Sequence, residues 1–421
     1  MSKTETSVPT MHKLKAIRFT GYRSFANKTT LELRPLTLIY GRNNAGKSAL
    51  LRLLPILADS VSDRAESPLD LSGPAARGAT FLDILWRGQL PDSKKLTLEL
   101  EWASDDSTTT DSYTLDHSDK IGTYVRKYTN SDKNNQTKLT LDAVAFGEEE
   151  KYTVIKKDTI QGEMKISFTG LIPSSPQPIA ELKELTERLK SLRNQVQWLE
   201  SVRIPPERII RKPGGTPRVL SPNGKRAAEA TLASNFIFSE LQSWYSSPEI
   251  KRTLEAKEIL NPMYRIFLNP KEGPCRDIDI SDTGEGMVQV FPVLVAAALA
   301  RQVGSTAFLA VEEPESHLHA NAQKALAAYF SQIAASATAP TVIIETHSRM
   351  LLLGIQLAIA RGLPPEKACA YWVDQEEGGH SVATLGEFDT SGGLSNWPSS
   401  AFAEDQSLAR ELLAEQLSTK E

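Results

Sequence analysis

"LTLIYGRNNAGKSALLRLLPIL", Leu36 to Leu57, sets an apolar run, a glycine-bounded turn and a helical run end to end. Its middle residues, Gly41, Arg42, Asn43, Asn44, Ala45, Gly46, Lys47 and Ser48, fit the pattern G-x-x-x-x-G-K-[ST] without exception. The short run LTLIY reads as a buried strand and SALLRLLPIL as a helix, the context in which this pattern forms a phosphate-binding loop. In such a loop, backbone N–H groups and the helix N-terminus point at phosphate oxygens. Lys47 brings a cation to the β and γ phosphates, and the Ser48 hydroxyl can ligand Mg²⁺. The expected ligand is ATP with Mg²⁺. A plain glycine turn carrying a surface lysine is the competing reading, and the strand and helix on either side weigh against it.

A phosphate-binding loop needs a second acidic element, normally at the end of a buried strand beside it. "AFLAVEEPESHLHA", Ala307 to Ala320, supplies one: an apolar run gives way to Glu312, Glu313 and Glu315, and Leu318, Ala322, Leu326, Tyr329, Phe330 and Ile333 then recur at helical spacing. Glu312 is expected to contact Mg²⁺, directly or through water, and Glu313 to act as the general base toward the hydrolytic water. His317 and His319 stand at a common metal-ligand spacing and raise a zinc site as the alternative. No third and fourth protein ligand follows nearby, and Mg²⁺ prefers oxygen. The histidines are therefore expected to shape the loop and the helix start.

Composition allows two or three domains with a real core: 421 residues, 40% apolar and 24% charged. The formal net charge of −4 argues against a generally basic nucleic-acid coat and leaves only a local basic patch. The longest apolar stretch, VFPVLVAAALA, is too short for a membrane span, and MSKTETSVPT has no secretory pattern. Cys275 and Cys369 offer neither a disulfide framework nor a thiolate metal site. The expectation is a cytoplasmic protein with no membrane partner.

Along the chain, LKAIRFTGY, TTLELRP and LTLIY predict strands leading into the loop. KLTLELEW, IGTYVRKY, TKLTLDAVAF and GEMKISF alternate as an antiparallel sheet would, with SDDSTTTDS and NSDKNNQ expected as loops between them. From Pro178 to Glu200 one stripe of Ile179, Leu182, Leu185, Leu189, Leu192, Val196 and Leu199 predicts a single amphipathic helix. Beyond Met263 the order strand, loop, buried helix, strand, helix, strand, helix, strand is that of an α/β core. The expected division is an N-terminal lobe over 11–175, a helical and basic insertion over 176–260 and a C-terminal lobe over 261–421.

GRNNAGKS, FLAVEEPESHLH and, further on, TVIIETHSRMLL together resemble the ABC-type ATPases related to SMC and RecF proteins. Within that group the chain is similar to the AAA-family ATPases of bacterial defence systems and to the ATPase half of the overcoming-lysogenization-defect nucleases. The resemblance implies an α/β fold: an ABC-type ATPase head with a mixed β-sheet lobe, a P-loop α/β core and a short helical insertion. It makes His347 the switch histidine that senses the γ-phosphate. It places Ile280–Leu294 at the ABC signature, departing from Leu-Ser-Gly-Gly-Gln but keeping Thr283, Gly284, Glu285 and Gly286 at a helix N-terminus to touch a γ-phosphate across a dimer. Arg23 of FTGYRSF is implied near the nucleotide, and its competing reading is a surface turn arginine. TFLDILWRGQ stands where the Q-loop is expected, so Gln89 or Asp83 would complete the Mg²⁺ shell. The tail over 386–405 resembles that of defence-type members. Relatives that are nucleases add a Toprim domain with paired aspartates. The residues after His347 contain no D-x-D, so no intrinsic nuclease is expected.

Between Arg203 and Arg226, seven cations, Arg203, Arg208, Arg211, Lys212, Arg218, Lys225 and Arg226, face only Glu207. Such a segment either binds DNA or RNA phosphates or is a solvated loop, and interleaved aromatics for base stacking are missing. The function expected is a dimeric, nucleotide-dependent switch, a homodimer or higher oligomer formed through a head-to-head ATP sandwich. It would control a separately encoded effector, a nuclease or toxin, in antiviral defence. A DNA-binding repair or recombination ATPase of the RecF/SMC type, and an ATP-binding scaffold with little turnover, are the alternatives.

Overall fold

Strands that are apolar at every position, such as LTLIY, FLAVE and TVIIE, need cover on both faces, and a parallel sheet between two helical or sheet layers provides it. The computed structural model of the chain describes residues 12–88, 95–104, 107–145, 150–302, 307–398, 401–402, 408 and 411–412. Gln89 and the end of the 386–405 tail lie outside the described residues. The elements begin with β1 (Lys13–Thr20), β2 (Thr29–Glu32), β3 (Leu36–Gly41), α1 (Lys47–Asp59) and α2 (Phe81–Ile84). A β-rich stretch follows: β4 (Leu96–Ala103), β5 (Thr108–Ser118), β6 (Gly122–Asp132), β7 (Thr137–Ala145), β8 (Lys151–Lys156), β9 (Thr159–Lys165), β10 (Ser167–Thr169) and β11 (Ile172–Ser174). Next come α3 (Ala180–Lys190), β12 (Val196–Leu199), β13 (Ile210–Arg211), α4 (Ala227–Ala233), α5 (Asn235–Tyr245), β14 (Arg252–Leu260) and β15 (Met263–Pro270). The chain closes with α6 (Glu285–Arg301), β16 (Phe308–Glu312), α7 (Ala320–Ala335), β17 (Thr341–Glu345), α8 (Arg349–Ala360), β18 (Ala368–Gln375) and β19 (Ser381–Glu387).

The central sheet has the order β12-β16-β17-β3-β18-β19, parallel throughout except for the antiparallel edge β19. Alternate residues go to opposite cores: Leu36, Leu38 and Tyr40 join α4 to α8 on one face, while Ile39, Ala310 and Ile343 join α1, α3 and the second sheet on the other. In α6, every residue from Val288 to Ala300 is buried, which explains a helix apolar on all sides rather than along one stripe. Truncating a core side chain there, such as Leu294→Ala, removes about 2–5 kcal/mol.

The second sheet is antiparallel, β2-β1-β4-β5-β6-β7-β8-β9, and strict alternation in β4 turns Leu96, Leu98, Leu100 and Trp102 inward. SDDSTTTDS, expected as a loop, is mostly strand. β5 pairs with β4 and β6, and its Asp111 is fully buried. Asp111 accepts hydrogen bonds from Tyr128, Asn130 and both Nε and NH2 of Arg188, all at 2.8–2.9 Å, and thereby ties α3 to this sheet. The polar composition hid a strand whose charge is paired inside.

The single helix expected through Glu200 is also corrected. α3 stops at Lys190, Asn194 takes a left-handed φ of 56°, and Val196–Leu199 pairs in parallel with Phe308–Val311 at the open edge of β16. Spacings of three and four suit a helix, but a strand covered on both faces needs no alternation, as the buried Gln197, Trp198 and Leu199 show, and the pairing with β16 makes this stretch a strand. Strands from all three expected stretches, β3, β12 and β16 to β19, lie in the one central sheet. Among the described residues, no helix is long and apolar enough to cross a membrane.

Candidate nucleotide-binding site

The carboxyl ends of β3, β16, β17 and β18 open on one edge of the central sheet, the place where open α/β sheets bind ligands. A cavity of about 600 Å³ lies there, lined by Asn43, Asn44, Gly46, Lys47 and Ser48 of the loop, Glu313, Glu345, His347 and Gln375 from the strand ends, and Arg23, Arg52 and Arg77. Gly46 caps α1 at φ 105°, and a Cβ there would meet the Ser24 hydroxyl at 2.6 Å, so the turn at Ser24–Phe25 can pack this closely on the phosphate loop only with glycine. A Cβ on Gly41 would lie 2.0 Å from the Val373 carbonyl. Lys47 is buried and donates from Nζ to the carbonyls of Gly41 at 3.1 Å and Arg42 at 2.8 Å. Burial lowers its pKa, against the nearby charges of Glu345 and Glu313.

Glu313 follows β16 with φ 43°, a left-handed conformation strained for a glutamate. Its N–H donates to the Glu345 carbonyl at 2.8 Å, its own carbonyl accepts from Arg203 at 2.9 Å, and one carboxylate oxygen accepts from Ser316. Glu345, at the end of β17, accepts the Ser48 hydroxyl at 2.8 Å. Burial pushes its pKa up to about 7, with Glu312 adding to the rise and the Ser48 hydrogen bond, Lys47 and Arg52 opposing it. His347 lines the cavity. Its N–H donates to Glu315 at 2.9 Å, and Glu315 also holds the Thr346 hydroxyl at 2.6 Å, so this buried acid fixes the loop between β17 and α8. Burial, then Lys47, holds the His347 pKa below the ordinary histidine value.

The profile of the family described as "AAA domain, putative AbiEii toxin, Type IV TA system" matches residues 36–354, from the strand before the phosphate loop into α8. The chain belongs to that family. No curated protein matches it. Its fold is similar to the SMC head domain from Thermotoga maritima at 13% identity and a TM-score of 0.45, over 88% of this chain and 98% of that one. It is also similar to the Smc head domain with an extended coiled coil, bound to the C-terminal domain of ScpA and derived from Pyrococcus furiosus. There the identity is 10% and the TM-score 0.49, over 89% and 96% of the two chains.

Within this AAA domain the expected residues divide. Lys47, Ser48, Glu313, His347 and Arg23 border one cavity, and Arg23 also reaches the Ala76 carbonyl at 3.4 Å. Glu312 does not border it: both of its oxygens accept from Arg52 at 2.6 Å, and one also accepts from the Trp198 ring N–H at 3.1 Å. Asp83 serves as a cap, accepting from the Thr80 N–H and hydroxyl at the start of α2. Thr283, Gly284 and Gly286 lie at the start of α6 and do not line the cavity. Gly284 is exposed with open space around it, whereas a Cβ on Gly286 would meet the His317 carbonyl at 2.4 Å. Among the described residues, no three His, Cys, Asp or Glu side chains gather as a metal cluster around His317 and His319.

Glu345, Arg52, Arg77 and Gln375 were not singled out from the sequence. Glu345 carried a signal, being a charge directly after the apolar run TVII, where a buried strand ends at the sheet's ligand edge. Arg77 had none, since a turn at Arg77 brings it to the cavity. Of the seven cations in the basic segment, six are exposed. Arg203 is buried, Arg208 pairs with Asp282 and Arg226 with Glu229.

Proposed function

We propose that the chain is an Mg²⁺-dependent ATPase acting as a dimeric switch that controls a separately encoded effector, a nuclease or toxin, in antiviral defence. The observation that carries the ATPase reading is the convergence of Lys47, Ser48, Glu313 and His347 on one cavity at the carboxyl edge of the parallel sheet. Lys47 would exchange its carbonyl partners for β and γ phosphate oxygens, and the N–H groups at the start of α1 would face the same phosphates. Glu313 would take a proton from water as the water oxygen bonds to the γ phosphorus. The bond from that phosphorus to the β–γ bridging oxygen breaks, giving ADP and phosphate. His347, on the wall of the same cavity, would meet the γ-phosphate. Mg²⁺, when bound, neutralises charge building on the phosphate oxygens. Ser48 and the acidic strand ends are oxygen donors suited to hold it.

Support for the dimer comes from the start of α6. Thr283 and Gly284 stand outside the cavity, with Gly284 open to a second molecule, and a helix N-terminus there can face a phosphate held by the partner copy. The effector reading draws on the membership of the chain in a family described as a putative toxin of a toxin–antitoxin system. The exposed Arg211, Lys212, Arg218 and Lys225 favour nucleic-acid phosphates as a second candidate partner.

Glu313→Gln tests the chemistry: it keeps size and hydrogen bonding but removes the base, so ATP should still bind while hydrolysis falls by roughly 10²–10⁴. An unchanged rate would remove Glu313 from its role. Co-expression with the adjacent gene tests the switch. The expected result is a stable complex whose effector is released or activated only when Lys47 and Glu313 are intact. Robust nuclease activity of the purified chain alone would overturn the effector reading.

A further inference from the structure

Two strands end beside the phosphate loop with a glutamate each, and the parallel register sets Glu312 of β16 opposite Glu345 of β17. Their surroundings divide them. Glu312 gives both oxygens to the Arg52 guanidinium, whose planar fork matches a carboxylate, neutralises its charge and fills the edge a cation would use. The Trp198 N–H takes a further position, and Glu312 is not on the cavity wall.

Glu345 is the opposite case. It is 5% exposed yet lines the cavity. One oxygen accepts the Ser48 hydroxyl, and the other is buried with no hydrogen-bond partner. A buried carboxylate oxygen left without a donor is disfavoured until a proton, a water or a cation completes it, and a cation is the one of these that nucleotide phosphates bring with them. The cations nearby are engaged elsewhere, Lys47 on loop carbonyls and Arg52 on Glu312. Ser48, while giving its hydrogen to Glu345, keeps lone pairs free for a metal. Mg²⁺ takes oxygen ligands in an octahedron, dehydrates reluctantly and is commonly held by one or two carboxylates together with substrate phosphates. A hydroxyl, one unneutralised carboxylate, phosphate oxygens and water make up such a set.

We propose that Glu345, rather than Glu312, is the carboxylate that joins Ser48 in holding the divalent cation, and that the Arg52–Glu312 pair is the anchor that fixes α1 against β16. This rests on the ATP reading, and the test separates the two. Binding of a fluorescent ATP analogue is followed across Mg²⁺ concentration, and Mn²⁺ uptake with a non-hydrolysable analogue is read by paramagnetic resonance. Wild type, Glu345→Gln and the paired Glu312→Gln/Arg52→Gln variant are compared. In Glu345→Gln the Mg²⁺ midpoint and the Mn²⁺ dissociation constant should rise about 10–100-fold, with nucleotide affinity in chelator unchanged. The paired variant should shift the metal midpoint by a much smaller factor than Glu345→Gln does.

An unshifted midpoint in Glu345→Gln, or the large shift appearing in the paired variant instead, overturns the proposal. Should Glu345→Gln melt early, Glu345→Asp keeps the charge one methylene short and is expected to shift the midpoint by a smaller factor; no shift there also overturns it. Nucleotide binding in wild type without any Mg²⁺ dependence defeats this proposal alone. No nucleotide binding at all defeats the ATP reading and this proposal with it.

Discussion

Asp59 ends α1 with a carboxylate where the helix presents its unpaired carbonyls, and burial together with the charge of Asp70 pushes its pKa up to about 6. An acid whose folded pKa lies above its unfolded value holds its proton more tightly in the fold, so its ionisation costs stability. The cost is absent below pH of about 4, grows as pH rises toward 6 and is complete above that. Asp59→Asn should therefore raise stability at pH 7.5, by about 1–2 kcal/mol after solvent screening of this part-exposed group, and change it much less near pH 4. Urea unfolding at both pH values checks this, and an equal gain at both would refute the electrostatic cause. The contrast with the nucleotide site is instructive. Lys47 and Glu313 were legible because a phosphate loop and the end of a buried strand demand those residue types at those places. Glu312 and Glu345 stand at the same strand position, and partners distant in sequence, Arg52 and Trp198 on Glu312 and Ser48 on Glu345, distinguish their surroundings. Long-range pairing of that kind leaves no local spacing to read.

At the scale of elements, Arg203 joins α6 to the end of β16. Its side chain donates to the carbonyls of Gln289 at 3.0 Å, Glu312 at 2.8 Å and Glu313 at 2.9 Å, and its backbone exchanges hydrogen bonds with the Gln289 amide. Burial lowers its pKa to about 10, so it stays a cation at neutral pH. The start of α6 and the strained backbone of Glu313 are thus held by one guanidinium, and Gly286 lets the same helix close on the His317 carbonyl. Arg203→Gln should cost about 2–4 kcal/mol of stability by leaving buried carbonyls unmet. It should also lower kcat for ATP with KM little changed, because the base loses its placement while the phosphate loop does not. A variant with normal kcat at a temperature where it is folded would reduce Arg203 to a structural role. The sequence left Arg203 either as a contact to nucleic-acid phosphates or as part of a solvated loop, since a charge in a Pro/Gly-rich stretch looks exposed until the neighbouring helix is known. The order of strands and helices beyond Met263 was readable from apolar runs and turns. β5 and β12 were not, one masked by threonines and aspartates around a buried ion pair, the other by a leucine spacing shared with α3.

For the whole molecule, the proposed switch would divide one reaction between two surfaces: the cavity with Lys47 and Glu313, and the start of α6 with Thr283 and Gly284. A single copy presents both without joining them, so closing two copies on ATP is what would couple nucleotide state to shape and hence to a bound effector. Space around Gly284 means that a bulky residue there leaves the monomer's packing untouched and acts only where a partner approaches. The most direct test mixes two inactive chains. Lys47→Ala should lose ATP affinity by about tenfold or more, since a charge-assisted contact contributes about 1.5–3 kcal/mol. Gly284→Trp should bind ATP but fail to close on its partner. Alone, neither should turn over ATP. Mixed as heterodimers verified by mass, they should regain part of the wild-type hydrolysis rate, because one of the two composite sites is then whole. No recovery in verified heterodimers, or full hydrolysis by Gly284→Trp alone, would contradict the shared-site switch.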